Sequence, residues 1–212
     1  GLLLDCGATA YYGIKKREID IGGIDTVVIS HFHGDHYGGL PFLLLDAAIH
    51  RRDAPLTIVS PPTGKERISR LLEQLYPGSD VLNKLNLSFK TYIPNVVESN
   101  GWMVEALPVV HTPETLPHGV RIKAGNKVIS YSGDTAWTPA LIELADGADL
   151  FICECNFFDS AVEGHLNYKT FRAHDSELRY KRLILTHLGS EMLANLGRVE
   201  HPYATDGLKI VL

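Results

Sequence analysis

The residues best equipped for chemistry stand together in Ser30-His31-Phe32-His33-Gly34-Asp35-His36, where His31, His33, Asp35 and His36 are all potential metal ligands. In an extended segment positions i and i+2 project to one side, so His31 and His33 can hold one metal ion. Gly34 lets the chain turn and offer Asp35 and His36 to a second. Imidazole nitrogens with a few carboxylates favour zinc or a similar transition ion, manganese among them, over magnesium. Two ions need further ligands, and polar residues just past apolar runs supply them: His111 after 103–110, Asp134 after 128–132 and Gly133, His187 after 183–186. Loops at strand ends are where a rigid scaffold displays functional groups. Taken singly, each has a plain structural alternative: a hydrogen-bonded histidine near the surface or, for Asp134, a helix cap or a turn. Beside the 31–36 cluster they read as one ligand set.

Such a set needs strands to position it. Short runs rich in Val, Ile and Leu predict strands at 2–5, 26–30, 56–60, 87–92, 103–110, 120–123, 128–131, 150–153, 183–185 and 208–212. Helical spacing predicts helices at 39–51, 64–76 (Ile68, Leu71, Leu72 and Leu75 recur), 139–145 and 168–178. Strands mixed with helices from end to end indicate an α/β layered domain. No repeat, low-complexity tract or flexible linker interrupts it, and 212 residues suit one domain over 1–212.

Composition excludes several classes. With 45% hydrophobic and 21% charged residues the chain is that of a folded globular protein, not a disordered one. No apolar run approaches the roughly 20 residues that span a bilayer, since 40–49 is broken by Pro41 and Asp46. A net charge of -5 argues against nucleic-acid binding through a broadly basic surface and leaves room only for a local basic groove. Cys6, Cys153 and Cys155 are odd in number, and the last two are too close for an easy disulfide in a strand. Cys153 and Cys155 read as buried strand residues, and the three together suit a reducing, cytoplasmic compartment. No secretion signal is visible, and the sequence begins at Gly1 without an initiating Met.

His31, His33, Asp35 and His36 meet in full a His-x-His-x-Asp-His signature, and the chain resembles the metallo-β-lactamase superfamily over nearly its whole length. The resemblance implies an αββα sandwich with the site at the edge between two sheets. It implies that His31, His33 and His111 hold a first metal, that Asp35, His36 and His187 hold a second, and that Asp134 bridges both. A bridging aspartate is similar to the phosphodiesterase and glyoxalase side of the superfamily. Leu3-Leu4-Asp5-Cys6-Gly7, Tyr131-Ser132-Gly133-Asp134-Thr135, Glu154 ahead of Asn156-Phe157, Gly164-His165 and Leu185-Thr186-His187 resemble the ribonuclease Z group. They also resemble its smaller relatives, including the cyclic phosphodiesterase of phosphonate breakdown. Those relatives carry further β-structure ahead of the Leu-Leu-Asp-Cys-Gly segment, so the first N-terminal strands are expected to be missing here.

Two departures bear on substrate. Residues 112–133 are all that separates His111 from Asp134, which leaves no room for the long tRNA-gripping arm of bacterial ribonuclease Z. Leu188-Gly189-Ser190-Glu191-Met192 also lacks the Ser-x-Arg-Tyr expected of tRNA processing, and with it an arginine that could grip phosphate. A small anionic phosphodiester suits better than tRNA. A bridging hydroxide, two divalent ions, five neutral histidines and two aspartates would leave about one net positive charge, attractive to a monoanion.

His165 is surplus to the metal count and is the candidate general acid, facing the leaving group by resemblance, with Glu154 as its orienting partner. His165, Glu154 and the ligand Asp35 make up the catalytic set. For His165 the plain alternative is a solvated loop histidine; for Glu154, a strand-end carboxylate near the surface. His50, His118, His174 and His201 read as surface residues, and Trp102 and Trp137 as packing groups, with Trp137 placed to line a substrate entrance. The function expected is a dinuclear metal hydrolase of small or cyclic phosphodiesters. The alternatives are a hydrolase of an aryl sulfate, thioester or lactam, or a non-catalytic metal-binding protein. The resemblance also implies a homodimer.

Overall fold

A computed structural model describes residues 1–92 and 96–212. The chain divides into two compact units, Gly1–Asn100 and Gly101–Leu212.

The first unit runs β1 (Leu2–Leu4), α1 (Ala10–Lys16), β2 (Thr26–Val28), α2 (Gly34–Tyr37), α3 (Leu40–Ile49), β3 (Leu56–Ser60), α4 (Gly64–Leu75), β4 (Leu87–Thr91) and β5 (Val97–Ser99). Strands β1 to β4 form a sheet in sequential order, every pair parallel. Each residue of β2 and β3 is buried, as expected of parallel strands covered on both faces, with Thr26, Thr57 and Ser60 enclosed among the aliphatic residues. Helix α4 buries Ile68 and Leu72, whereas Leu75, the last position of its stripe, is exposed where the helix ends. Helix α3 buries Leu40, Pro41, Leu43, Leu44 and Ala47.

The second unit runs β6 (Trp102–Pro108), β7 (His118–Ala124), β8 (Lys127–Tyr131), α5 (Ala140–Ala145), β9 (Leu150–Glu154), α6 (Tyr168–His174), β10 (Leu183–Thr186) and α7 (Ser190–Ala194). Its strands lie in the order β10-β9-β8-β7-β6. Strands β8, β9 and β10 are parallel, and β6, β7 and β8 are joined antiparallel. The core packs Leu141 and Leu144 of α5 and Phe171 of α6 with Phe151 and Cys153 of β9 and Leu185 of β10. All three cysteines are buried and free. No helix among the described residues is long and apolar enough to cross a membrane.

Several sequence expectations need correction. The apolar stretch 208–212 is not a strand: residues 202–204 already bond to the edge of β10, through Leu185 N to Pro202 O and Ala204 N to Leu185 O, so the tail has no edge to join there. Helix α6 stops at His174 and passes into a 3-10 turn at Asp175–Glu177. His118 is buried, not at the surface. It opens β7 opposite Pro108, its ring Nδ1 meets Leu116 O at 2.8 Å, and burial holds its pKa below the ordinary histidine value. Helices α1, α2 and α7 and strand β5 were not anticipated, and α1 buries only Ile14.

Candidate active site

In each unit the chemistry-bearing residues gather at the carboxyl ends of strands, most of them adjacent and parallel, the usual place for a ligand site in α/β sheets. In the first unit Asp5 follows β1, and the segment Ile29 to His31 continues from β2, held by Ile29 N to Val59 O at 2.9 Å. His33 then caps α2, accepting from the backbone N–H of His36 and Tyr37 through its carbonyl. His31 and His36 are buried, while the Asp35 side chain is 64% exposed.

Asp5 is the hub of this set. Its carboxylate accepts from Ser30 N and Ser30 Oγ, each at 2.7 Å, and meets His36 Nδ1 at 2.7 Å. Ser30 Oγ in turn lies 3.0 Å from His31 Nδ1. With both Nδ1 atoms engaged, His31 and His36 offer Nε2, as metal-ligating imidazoles backed by a carboxylate do. His31 Nε2 stands 3.2 Å from His33 Nδ1, and Asp35 Oδ2 stands 3.6 Å from His36 Nε2. Asp5 stands in the Leu3-Leu4-Asp5-Cys6-Gly7 motif, which by itself assigns it no role. Its signal was its place, a carboxylate one residue beyond a strand that neighbours the one leading to the histidines.

Backbones approach closely around this hub. Cys6 N donates to His36 O at 2.7 Å and Gly39 N to Cys6 O at 2.8 Å. A Cβ on Gly7 would lie 1.9 Å from Asp35 O, so only glycine fits. Asp5 itself is held at φ 55, a left-handed conformation uncommon for a non-glycine residue.

In the second unit Asp134 follows β8, Glu154 ends β9, His187 follows β10 and His111 lies beyond β6. Here too the histidines are fixed on one ring nitrogen. His111 Nδ1 meets Gly164 O at 2.8 Å, where Gly164 has φ +77 and a Cβ would stand 2.7 Å from that nitrogen. His187 Nδ1 meets the Asn156 side-chain amide at 2.6 Å. Their Nε2 atoms face the buried Asp134, with His187 Nε2 at 3.3 Å and His111 Nε2 at 4.0 Å from Oδ2. Like Asp5, His187 sits at φ 55.

Glu154 is fully buried, not a surface carboxylate. Its Oε1 accepts from Thr135 N at 2.7 Å and lies 3.0 Å from His165 Nδ1, and its Oε2 accepts from Asn156 N at 3.2 Å. Burial pushes its pKa up, and the hydrogen bond with His165 works against that shift. His165 is one-fifth exposed, with its ring 4.8 Å from that of His111 and 5.6 Å from that of His187. Beside it lies a cavity of about 280 Å³ bordered by Ala136, Trp137, Val162 and Asn167. His174 stacks on Trp137 at 4.0 Å.

The donor sets fit a transition metal. Two donors bound to one zinc at about 2.0–2.1 Å in a tetrahedron stand roughly 3.3 Å apart. The pair His31 Nε2 and His33 Nδ1, at 3.2 Å, and the pair His187 Nε2 and Asp134 Oδ2, at 3.3 Å, have that spacing. Within the second unit, ligand atoms of His111, Asp134 and His165 lie within 4.8 Å of one another, as do those of Glu154, His165 and His187. Cys153 and Cys155 belong to the core instead.

The family model of the anti-Pycsar protein Apyc1 matches residues 1–202. The chain belongs to that family. Ribonuclease Z of Lachnoclostridium phytofermentans is 24% identical over 235 residues, covering 88% of this chain and 77% of that protein. The metallo-β-lactamase fold protein YhfI from Bacillus subtilis superposes with a TM-score of 0.77 at 21% identity, over 98% of this chain and 85% of its own. A diphosphatase of the PhnP family gives 0.75 at 19% identity, over 100% of this chain and 79% of its own. The two-sheet α/β fold of this family member is thus the metallo-β-lactamase fold, as the His-x-His-x-Asp-His resemblance implies.

Proposed function

We propose that the protein is a metal-dependent phosphodiesterase of small or cyclic phosphodiesters, with His31, His33, Asp35, His36, His111, Asp134 and His187 serving one dinuclear centre in a single domain. The observation that carries this reading is the buried Glu154 hydrogen-bonded to His165 Nδ1, next to the His111, Asp134 and His187 set. A metal-held ester of a good leaving group needs no such dyad, whereas an alkoxide leaving from phosphorus needs a proton. Related ribonuclease Z and PhnP-family diphosphatase proteins support hydrolysis at phosphorus. Two bound zinc or manganese ions would lower the pKa of an attacking water and neutralise charge developing on the phosphoryl oxygens.

The chain's own residues do the rest. Asp5 and Ser30 hold the His31 and His36 rings so that Nε2 is presented and the tautomer is fixed. Gly164 O does the same for His111, and the Asn156 side chain holds the His187 ring in place. Glu154 accepts from His165 Nδ1–H, leaving His165 Nε2 to deliver its proton to the leaving oxygen. Asp134, 2% exposed, supplies negative charge where the histidine nitrogens converge. The short 112–133 segment and the net charge of -5 favour a small substrate over tRNA, in a cytoplasmic homodimer.

Side-by-side turnover of bis(p-nitrophenyl) phosphate, an aryl sulfate, a thioester and a chromogenic lactam, with metal analysis of the same sample, tests the proposal. Turnover of the phosphodiester above the others, with two ions per chain, is the expected result. Preference for another ester, or one ion per chain at full occupancy, would overturn it. Glu154→Gln should slow an alkyl phosphodiester more than an aryl one, because the p-nitrophenolate leaves as a stable anion and needs little protonation.

A further inference from the structure

The sequence leaves room for a local basic groove, and the second unit contains one that the proposed chemistry does not use. A cavity of about 450 Å³ is lined by Phe158, Asp159, Tyr168, Lys169, Arg172 and Arg198, together with Ala173. Three cations thus face one carboxylate on a chain whose net charge is -5. Lys169, Arg172 and Ala173 occupy one face of α6 at i, i+3 and i+4 spacing. Thr170, on another face, borders the cavity beside His165.

Arg198 is held in place before any ligand arrives, and Arg172 lies over an anchored ring. The Arg198 guanidinium lies 4.4 Å from the Phe158 ring centroid and its Nη1 donates to Asn195 Oδ1 at 2.9 Å. The Arg172 guanidinium lies 5.9 Å from the Tyr168 ring. Tyr168 is itself anchored: its hydroxyl meets His201 Nδ1 at 2.9 Å and accepts from Glu200 N at 2.8 Å. An ion pair at the rim, Arg172 with Glu200 at 3.6 Å, joins two side chains each more than half exposed, so it is weak and easily exchanged. Guanidinium forks suit phosphate oxygens, the carboxylate of Asp159 suits a sugar hydroxyl, and the volume is that of a small-molecule site. A lone phosphate ion would leave most of the space empty, and a polynucleotide would need a longer positive track.

We infer that this groove binds a phosphorylated small molecule of nucleotide size, its phosphates on Arg172, Arg198 and Lys169 and its sugar on Asp159. Calorimetric titration of the metal-loaded protein with adenosine diphosphate, inorganic pyrophosphate and a short single-stranded oligoribonucleotide tests it. Adenosine diphosphate should bind in a salt-sensitive manner and lose roughly tenfold or more in affinity in the Arg172→Ala/Arg198→Ala variant. Phosphodiester turnover should be unchanged in that variant. Lys169→Ala/Arg172→Ala, which spares the packing of Arg198 on Phe158, should weaken binding in the same direction. Unchanged binding in both variants, pyrophosphate binding as tightly as the nucleotide, or preference for the oligoribonucleotide would each overturn the assignment.

Discussion

The two units fix their histidines by different means. In Gly1–Asn100 the candidate ligands lie within 31–36, and a single carboxylate, Asp5, ties Ser30 and His36 down from a neighbouring strand. In Gly101–Leu212 the candidates come from the ends of several strands, and each has its own anchor: Gly164 O for His111, Asn156 for His187, Glu154 for His165. One loop with one hub is vulnerable at a single point. A set spread over a sheet spreads the risk, and its members can take separate roles.

That contrast can be tested, beginning with the largest effect. In the second unit His165→Ala should slow an alkyl phosphodiester by roughly 10² to 10⁴ while metal content stays the same. Loss of a metal would make His165 a ligand and erase the division of roles. In the first unit Asp5→Ala should act through metal instead, weakening its affinity by about 10- to 100-fold as measured by chelator competition. If an anchor change in the second unit, such as Asn156→Ala, weakened metal more than Asp5→Ala, the hub idea would fail. Gly7→Ala drives a Cβ into Asp35 O, and the overpacking should lower unfolding free energy by about 1–3 kcal/mol in urea titrations. Gly34→Ala, at the first residue of α2, where a Cβ meets nothing within 4 Å, is the matched control.

The smallest effect concerns pH. Burial lowers the folded-state pKa of His118 below 6.5, so the unfolded chain binds the extra proton first as pH drops. Stability contributed at this position is therefore present above pH 6.5 and is lost as pH falls towards the depressed value. His118→Gln should flatten that part of the stability profile measured by urea unfolding between neutral and mildly acidic pH. An unchanged profile would mean that another group governs it.

What could be read from sequence followed the same division. The 56–60 strand is legible to the residue because Leu56, Ile58 and Val59 form a short aliphatic run between turn signals, and the 31–36 cluster because its ligands fall within six residues. Helix α1 escaped because Ala10–Lys16 contains Gly13 and buries only Ile14, so no apolar stripe marks it. The 208–212 run misled in the opposite sense, since apolar pattern alone does not show whether a sheet edge is free. Asp5 and Asn156 act on residues 31 positions away, and nothing in local spacing reveals such pairings. Glu154 and His165 were placed together by family resemblance, not by pattern.

The three buried thiols have a practical consequence. Burial, with help from the neighbouring Asp5 and Glu154 carboxylates respectively, pushes Cys6 and Cys155 up to about 12, and Cys153 is raised well above the usual thiol value. At neutral pH a thiol of that pKa is thiolate in roughly one molecule in 10⁵, and thiolate is the form that alkylating reagents attack. The natural protein is therefore silent toward maleimide and iodoacetamide while folded. A cysteine introduced at one exposed position in each unit, Tyr12 and Leu193 for instance, would take up spin labels cleanly, and pulsed electron resonance could then follow the distance between the units as metal is added.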